Sequence, residues 1–483
     1  MKTGTTSSGP ELLVELNRRA ARPLRAQLED GLREAVRTGR LTAHARMPAS
    51  RALAGDLGVS RRLVVDAYAQ LLAEGYLVAR RGAGTYVAGA AEAGEPATAA
   101  SPGRPLQFDF FPGYPDLSGF PRRAWSRALR AAVAEAPDSA FGYPDLRGAI
   151  ELRHALTGHL RRVRGLVVDP ESIVVCAGAA QGFALLARAL GGGRLAVEDP
   201  GLPPHRAILA EHGAELIGLP VDEQGARVDE LTALAARGGP IDAVLVTPAH
   251  QSPTGVAMAP ARRAALLAWA ADTGGLIVED DYDAEYRYDR APLGALQGLA
   301  PDRVVYMGTV SKTLAPAIRL GWLVLPGILR ERVAAQKMLA DHGSPTIDQL
   351  ALARLLEGGD YDRHLRQARR RYRVRRDALV QALAMHLPDA RVTGVAAGLH
   401  AIVRLGEPVD GLALMRAAAE QSLGVYPLGF AYIEPRLLDD GLVLGYANLV
   451  EPAIAEGVRR LAAVLAEMPS GPAATNEGGA IAR

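Results

Sequence analysis

The chain of 483 residues is 49% hydrophobic and 22% charged, with a formal net charge of +2, which excludes an intrinsically disordered protein and a single small binding module. Because no apolar run approaches the roughly 18 residues that a membrane-spanning helix needs, and the start lacks the apolar core of a secretory signal, we expect a cytoplasmic protein. The single cysteine, Cys176, excludes an internal disulfide and a thiolate metal cluster, and no metal site is predicted.

The charge is unevenly distributed along the chain. Residues 1–89 contain 14 Lys and Arg against 8 Asp and Glu, whereas the remainder contains 41 against 45. A compact basic segment is the electrostatic footprint of nucleic-acid binding, but a solvated basic surface would give the same balance. Charge by itself therefore leaves both interpretations open.

The basic segment contains a helix-turn-helix pattern. Two short helices separated by a glycine turn are predicted within residues 50–72, where apolar residues recur at helical spacing. Ser50 and Ser60 are each placed to cap the start of one helix. The second helix begins with Arg61 and Arg62, at the end of a recognition helix that meets the major groove.

Two short strands follow this pattern. Residues 76–79 and 85–87 flank a basic glycine turn that contains Arg80, Arg81 and Gly82, and this arrangement predicts a wing. The alternative is an ordinary small helical domain with solvated arginines. The wing, the positive charge and the N-terminal position together favour DNA binding.

Residues 23–87 resemble the winged-helix head of the GntR family of bacterial regulators. The resemblance rests on the serine–arginine start of the first helix, the valine–serine–arginine start of the second and the arginine–glycine wing, although residues 41–51 lack the glycine that is usual there. It implies that the following residues lie at the DNA: Arg51, Ser60, Arg61, Arg62, Arg80, Arg81 and Gly82.

A stretch rich in Ala, Gly, Pro and Ser separates the basic segment from the rest of the chain and predicts a linker. We therefore expect a winged helix-turn-helix domain over residues 11–88, a linker over 89–106 and a second domain over 107–468. The tail over 469–483 is predicted to be disordered.

Beyond residue 107, short apolar runs alternate with helical patterns, which is typical of an α/β domain with a mostly parallel sheet. The predicted strands lie at residues 172–177, 194–198, 243–247, 276–279, 304–307 and 322–325. After residue 347 the pattern becomes more helical and then returns to strands near 398–404 and 442–446. We expect a large domain over 107–346 and a small α+β domain over 347–468.

Lys312, one of three lysines in the chain, directly follows a predicted strand. A lysine there can form a Schiff base with an aldehyde cofactor if its surroundings lower its pKa, and arginine cannot replace it. Thr309, Ser311 and Arg319 supply hydroxyls and a cation suited to a phosphate. Taken alone, a surface lysine at a strand end explains this segment equally well.

Polar groups recur at the ends of three other predicted strands. Residues 279–283 supply carboxylates and a phenol, and a carboxylate against a pyridine nitrogen keeps that ring protonated. Small residues at 177–182 precede a helix, where backbone N–H groups can approach a phosphate. Residues 247–255 form a polar proline turn. Each segment alone fits an ordinary loop, but their recurrence favours a cofactor site.

Together these four segments resemble the fold-type I aminotransferase domain, which binds pyridoxal 5′-phosphate (PLP), and the whole chain resembles the MocR/GabR subfamily of GntR-type regulators. The resemblance implies that Lys312 forms the Schiff base, Asp280 meets the pyridine nitrogen and Tyr282 lies beside the phenolic oxygen. Asp281 is the alternative to Asp280. The other implied cofactor contacts are Ala179, Ala180, Thr309, Ser311 and Arg319 at the phosphate, together with Ser252.

The chain departs from the enzymes of this fold at three places. Ser252 stands where asparagine is usual, which leaves His250 or Gln251 as substitutes. Leu202 stands where an aromatic ring often covers the cofactor, and Val443 where an arginine holds the substrate carboxylate. Because losing a two-pronged clamp removes orientation and binding energy, we expect at most residual transaminase activity.

These observations predict a PLP-dependent DNA-binding transcription regulator. Its expected partners are double-stranded operator DNA, PLP and a small amine or amino-acid effector, in a head-to-tail homodimer with no membrane association. PLP itself is a candidate signal, with vitamin B6 synthesis as the regulated process. The alternatives are a working aminotransferase and a DNA-binding protein whose second domain has lost the cofactor.

Overall fold

The computed structural model describes residues 16–18, 20–80, 84–88, 106–283, 285–288 and 293–468. The chain divides into two compact units, Met1–Arg104 and Pro105–Arg483, called here the head and the body. The predicted tail and nearly all of the predicted linker lie outside the described residues. No helix in the described part of the chain has the length and apolar character required to cross a bilayer.

The head is a three-helix unit followed by a two-stranded wing. Its elements are α1 Leu24–Arg37, α2 Ser50–Asp56, α3 Arg61–Ala73, β1 Leu77–Arg80 and β2 Gly84–Val87. Leu28 of α1, Leu53 of α2 and Val64 of α3 are buried in one core. The two strands pair antiparallel, with Leu77 opposite Val87, which closes the wing against the same core.

The serines at the starts of α2 and α3 differ in role. Ser60 caps α3, since its hydroxyl accepts a hydrogen bond from the Leu63 N–H at 3.3 Å. The predicted cap at Ser50 is wrong, because Ala49 already holds the extended backbone before α2 and Ser50 is the first helical residue. The Ser50 hydroxyl instead lies 3.4 Å from Arg61 Nε and joins α2 to the start of α3.

The body is an α/β unit, and the prediction that its large sheet is mostly parallel is confirmed. Its helices are α4 Arg122–Glu135, α5 Ile150–Arg164, α6 Ala179–Leu190, α7 Pro203–Glu211, α8 Leu231–Gly238, α9 Pro260–Thr273, α10 Gly327–Asp341, α11 Thr346–Glu357, α12 Asp360–His386, α13 Gly411–Glu420 and α14 Glu451–Glu467. Its strands are β3 Phe108–Asp109, β4 Ile173–Cys176, β5 Arg194–Asp199, β6 Glu215–Asp222, β7 Gly225–Ala226, β8 Ala243–Val246, β9 Leu276–Asp280, β10 Val304–Thr309, β11 Gly321–Val324, β12 Arg391–Thr393, β13 His400–Asp410, β14 Leu423–Gly424 and β15 Leu438–Gly445.

The large sheet of the body has the order β4-β11-β10-β9-β8-β5-β6-β7. Strands β10, β9, β8, β5 and β6 run parallel, whereas β11 is antiparallel to both of its neighbours. The β10–β11 connection at residues 310–320 contains no α-helix, so the chain re-enters beside β10 in the opposite direction. Every residue of β4, β9, β10 and β11 is buried, which explains their continuous apolar runs.

A three-stranded antiparallel sheet of β12, β13 and β15 forms the core of the C-terminal part of the body. The start of the body joins this part, because β3 pairs with β14 through Phe108 opposite Leu423. The long helix α12 packs against α14 on this side. His400, at the start of β13, lies 2.9 Å from the Pro253 carbonyl oxygen, which joins the C-terminal part to the loop that follows β8 of the large sheet.

Candidate functional site

The start of α3 is the candidate nucleic-acid interface of the head. Arg61 and Arg62 are exposed there, where Ser60 caps the helix, and Arg51 is exposed near the start of α2. The Arg62 side chain is 92% exposed, with its nearest carboxylate, Asp66, 3.9 Å away. Cationic side chains at a helix N-terminus suit phosphate and base-edge contacts. The predicted wing residues Arg81 and Gly82, and the side chain of Arg80, lie outside the described residues.

Arg61→Ala is expected to weaken binding to DNA fragments selected by the wild-type protein by about 1–3 kcal/mol, since a contacting arginine supplies energy on that order. Fluorescence anisotropy at several salt concentrations measures the loss, and the wild-type affinity should fall steeply with salt because phosphate contacts release counterions. Arg37→Ala, an exposed arginine at the end of α1, is the control. Equal losses in both variants, or salt-independent binding, would contradict this assignment.

A cavity of about 410 Å³ opens where the parallel strands of the body end. Its walls come from the ends of β5, β8, β9 and β10, the start of α6 and the C-terminal part of the body. Open α/β sheets bind their ligands at this edge. All nine cofactor residues predicted from the sequence line the cavity: Ala179, Ala180, Ser252, Asp280, Tyr282, Thr309, Ser311, Lys312 and Arg319. Their contact with a cofactor stays a prediction.

Lys312 lies in this cavity and is half-buried. Burial lowers the pKa of Lys312, and the carboxylates of Asp283 and Asp280 oppose part of that shift. Gly113 lies beside the amine, since a Cβ on that glycine would be 3.5 Å from Lys312 Nζ. A lysine that loses its proton more readily is a better nucleophile toward an aldehyde.

The two aspartates at the end of β9 face different surroundings, because successive strand residues point to opposite sides. Asp281 pairs with the buried Arg164 through N–O distances of 2.6 and 2.9 Å and accepts a hydrogen bond from Tyr306 at 2.6 Å. Asp280 lines the cavity, and its Oδ1 is buried without a hydrogen-bond partner among the described residues. Burial, together with the charges of Asp281 and Asp283, raises the pKa of Asp280 to about 7.

The start of α6 and the residues after β10 form a corner suited to an anion. Gly178 precedes α6 with a φ of +79°, and a Cβ there would come within 3.1 Å of the Arg319 guanidinium. That guanidinium donates to the Ala177 carbonyl oxygen, and Thr309 Oγ1 lies 3.0 Å from Ser311 Oγ. Helix N–H groups, hydroxyls and a guanidinium are the groups that hold phosphates.

Lys337 supports the same corner. Its fully buried amine donates to Asp341, Gln181 and Ser344 at 2.6–2.8 Å. Gln181 Oε1 also accepts a hydrogen bond from the Ala177 N–H at 2.7 Å. Lys337 therefore ties α10 to the turn before α6, which gives the second lysine of the body a structural role.

The cavity contains residues that sequence reasoning missed. They are Glu198, His205, Arg206, His400 and Tyr426. Glu198 lies at the end of β5, so the strand-end argument used for the other segments would have found it. His205 and Arg206 lie in the first turns of α7, the helix that follows β5. His400 and Tyr426 come from the C-terminal part of the body, and no local pattern connects them with the sheet.

Two of the missed residues have strongly shifted pKa values. His205 Nδ1 lies 3.5 Å from Asp280 Oδ2, and burial together with the charge of Lys312 lowers the pKa of His205 to about 3. Burial raises the pKa of Glu198 to about 7, although Glu198 accepts hydrogen bonds from the Thr247 N–H and hydroxyl at 3.1 and 2.5 Å. Clustered shifts of this kind are typical of functional sites.

The structure distinguishes the two candidate substitutes for the missing asparagine. Gln251 is fully engaged elsewhere: its amide donates to the carbonyl oxygen of Pro200, just after β5, and its Oε1 accepts from Thr254 in its own loop. His250 Nδ1 lies 3.0 Å from the Tyr282 hydroxyl. Of the two, His250 is therefore the residue that reaches a predicted cofactor neighbour.

Leu202 and Val443, the other two positions that differ from the enzymes of this fold, give the cavity an apolar wall. Val443 lines it and packs with Ile402 and Leu428 in a small hydrophobic cluster, and Leu202 lines it with 41% of its surface exposed. Arg206 also lines the cavity, but its guanidinium already donates to two backbone carbonyls at 2.7 and 3.0 Å. At Val443 the cavity therefore offers no arginine that could hold a substrate carboxylate through two hydrogen bonds.

Family models match both units of the chain. A model described as bacterial regulatory proteins, gntR family, matches residues 24–87, and a model described as aminotransferase class I and II matches residues 113–437. The second fold implies PLP as its cofactor. The unpaired Asp280 oxygen, the amine of Lys312 and the anion-binding corner at Arg319 fit the ring nitrogen, the aldehyde and the phosphate of that group.

Individual relatives extend the similarity along the chain. The HTH-type pyridoxine biosynthesis transcriptional regulator PdxR of Corynebacterium glutamicum is 36% identical, covering 91% of this chain and 95% of that protein. The probable rhizopine catabolism regulatory protein MocR of Rhizobium meliloti is 33% identical, covering 93% and 95%. The solved structure of Pyrococcus horikoshii kynurenine aminotransferase matches with a TM-score of 0.70 at 27% identity, covering 76% of this chain and 92% of that chain.

Proposed function

The chain belongs to the MocR/GabR subfamily of GntR-type bacterial transcription regulators, and from that premise we propose that it is a DNA-binding regulator whose body responds to PLP. The observation that carries this proposal is that one chain contains both a helix that begins with two exposed arginines and a cavity lined by Lys312, Asp280 and Arg319. The head would read the operator, and the body would report whether the cofactor is present.

The body's own residues each have a defined task in holding PLP. Lys312 would hold the aldehyde carbon, Asp280 would keep a proton on the ring nitrogen, and Arg319 with the start of α6 would bind the phosphate. When bound, PLP supplies an electrophilic aldehyde carbon and an electron-withdrawing ring. His205 stays neutral beside Asp280, so the carboxylate remains available to the ring nitrogen.

PLP itself is the signal that this cavity supports best. An apolar wall at Val443 and an engaged Arg206 offer little to the carboxylate of an amino acid, whereas the residues predicted to hold PLP all line the cavity. A ligand shifts a regulator only if its affinity differs between two arrangements of that regulator. We therefore propose that PLP loading changes how the heads of a homodimer engage DNA, with vitamin B6 synthesis as the regulated process.

Selection and sequencing of genomic DNA fragments retained by the purified protein, with and without PLP, tests this proposal. We expect enriched sites whose recovery changes with PLP and which lie beside vitamin B6 genes. Sites beside amine or amino-acid catabolic genes would instead assign an amine effector to the same body. If neither the recovery of DNA fragments nor promoter output changed with PLP, the switch would be refuted.

A working aminotransferase is the second candidate, because all nine predicted cofactor residues line the cavity and the fold is similar to that of a solved aminotransferase. Multiple-turnover formation of a keto acid from a common amino acid, abolished by Lys312→Ala, would establish this activity. We expect at most a slow single turnover, since the place of the carboxylate clamp is apolar.

A further inference from the structure

His250 and Asp283 form a buried pair behind the Tyr282 phenol. His250 Nδ1 lies 2.9 Å from Asp283 Oδ2 and 3.0 Å from the Tyr282 hydroxyl. The side chains of His250 and Asp283 are each only 1% exposed, whereas Tyr282 lines the cavity that also contains Lys312. The pair therefore contacts a phenol that also lines the cavity.

The number of available hydrogens determines which group donates and which accepts in these two hydrogen bonds. A carboxylate only accepts hydrogen bonds, so the contact with Asp283 requires a hydrogen on His250 Nδ1. The Tyr282 oxygen, at a similar distance from that nitrogen, then accepts from the same N–H. The phenol's own hydrogen then points away from His250, toward Asp283, Ser252 or the cavity. Asp283 in this way fixes the tautomer of His250, and His250 fixes the direction of the phenol.

The charges around the pair maintain this arrangement. Burial lowers the pKa of His250, but the Asp283 carboxylate outweighs it and the net shift is upward. Burial, reinforced by the charges of Asp283 and Asp280 and by hydrogen bonding with Asp283, raises the pKa of Tyr282 well above its usual range, so the phenol keeps its proton. Hydrogen bonding with Ser252 opposes a smaller part of this shift. His400 also acts on this group, and its ring lies 5.4 Å from that of His250. The further charged or titratable groups that interact with the pair or with Tyr282 are Asp280, Glu285, Arg287, Tyr288, Lys312 and Tyr446.

We propose that His250 is a positioning residue that holds the Tyr282 hydroxyl as a hydrogen-bond donor toward PLP in the cavity. This inference rests on the proposed function, because it assumes that PLP occupies the cavity beside Lys312. The acceptor for the phenol is an anionic oxygen of the cofactor. A donor to an anionic oxygen lowers the pKa of the group that carries the oxygen, so the effect is visible in the cofactor's absorbance.

The test is a pH titration of the visible absorbance of bound PLP in the full chain. Tyr282→Phe removes the donor and is expected to raise the midpoint by about one to two pH units, the range of a hydrogen bond to a charged group. His250→Gln, which lacks a donor at the Nδ1 position, should raise the midpoint in the same direction. His250→Asn places an amide nitrogen near that position and should keep the midpoint close to the wild-type value.

The double variant His250→Gln/Tyr282→Phe decides between positioning and an independent effect. If His250 acts through the phenol, the double variant shifts no further than Tyr282→Phe alone, because coupled residues are non-additive. His159→Gln is the matched control, since His159 is a buried histidine 3.9 Å from a carboxylate but lies outside the cavity. Its midpoint should not move.

Three outcomes would overturn the inference. The first is that the midpoint shifts of the two single variants add in the double variant. The second is a His250→Gln protein with a normal PLP band and an unchanged midpoint, and the third is a midpoint shift in His250→Asn as large as that in His250→Gln. Additivity would mean that the phenol donates elsewhere, for example toward Asp283. If His250→Gln does not fold, His250→Ser removes the same donor with less volume. A wild-type protein that shows no Lys312-dependent band would contradict the proposed function itself, which keeps the two failures distinguishable.

Discussion

The Lys312→Ala protein is expected to lose the visible absorbance band of bound PLP completely and to release the cofactor during dialysis. Lys312 is the lysine that lines the cavity, burial lowers its pKa, and only an amine that can lose its proton joins covalently to an aldehyde. Lys312→Arg should fail in the same way, because a guanidinium keeps its proton. Absorbance spectra before and after dialysis measure both variants.

Borohydride reduction followed by peptide mass analysis locates the attachment in the wild-type protein. The expected adduct is on the peptide that contains Lys312. Lys337→Arg is the control: Lys337 is also buried, but its amine is held by three side chains, so the band should survive this change. An unmodified Lys312 peptide from protein supplied with PLP would instead favour a regulator whose body only assembles the heads.

The second large effect is expected from Arg164→Met, which should destabilise the body by about 3–5 kcal/mol. The Arg164 and Asp281 side chains are 1% and 2% exposed, and removing the arginine leaves a buried carboxylate without its counter-charge. All three tryptophans lie in the body, so denaturant unfolding followed by tryptophan fluorescence reports on this unit. The same variant should also weaken PLP binding, because Asp281 is adjacent to Asp280.

Arg162→Met is the matched control on the same helix. The Arg162 side chain is 57% exposed and pairs with Asp362 at 2.9 Å, and surface pairs of this kind contribute at most about 1 kcal/mol. If Arg162→Met lowered the free energy of unfolding as much as Arg164→Met, the helix and not the buried ion pair would be the source of the stability. A negligible loss in Arg164→Met would mean that water reaches Asp281.

The sequence was sufficient wherever a pattern is local. The recognition helix with its Ser60 cap, the strands buried on both faces and the strand-end position of Lys312 all follow from spacing within about ten residues. The family assignment is confirmed for the same reason, since its motifs are short and contiguous. The cap predicted at Ser50 failed by one residue, because the helix start is set by the extended backbone at Ala49.

Only the tertiary structure decided which side chains meet across the fold. The sequence favoured Asp280 but left Asp281 as its alternative. In the structure the guanidinium of Arg164, from a separate helix, pairs with Asp281, and Asp280 lines the cavity. His250 and Gln251 were equivalent until their partners were known. A sequence records which groups can donate, accept or carry charge, whereas burial and the nearest partner fix what each group does, and these depend on segments brought together by folding.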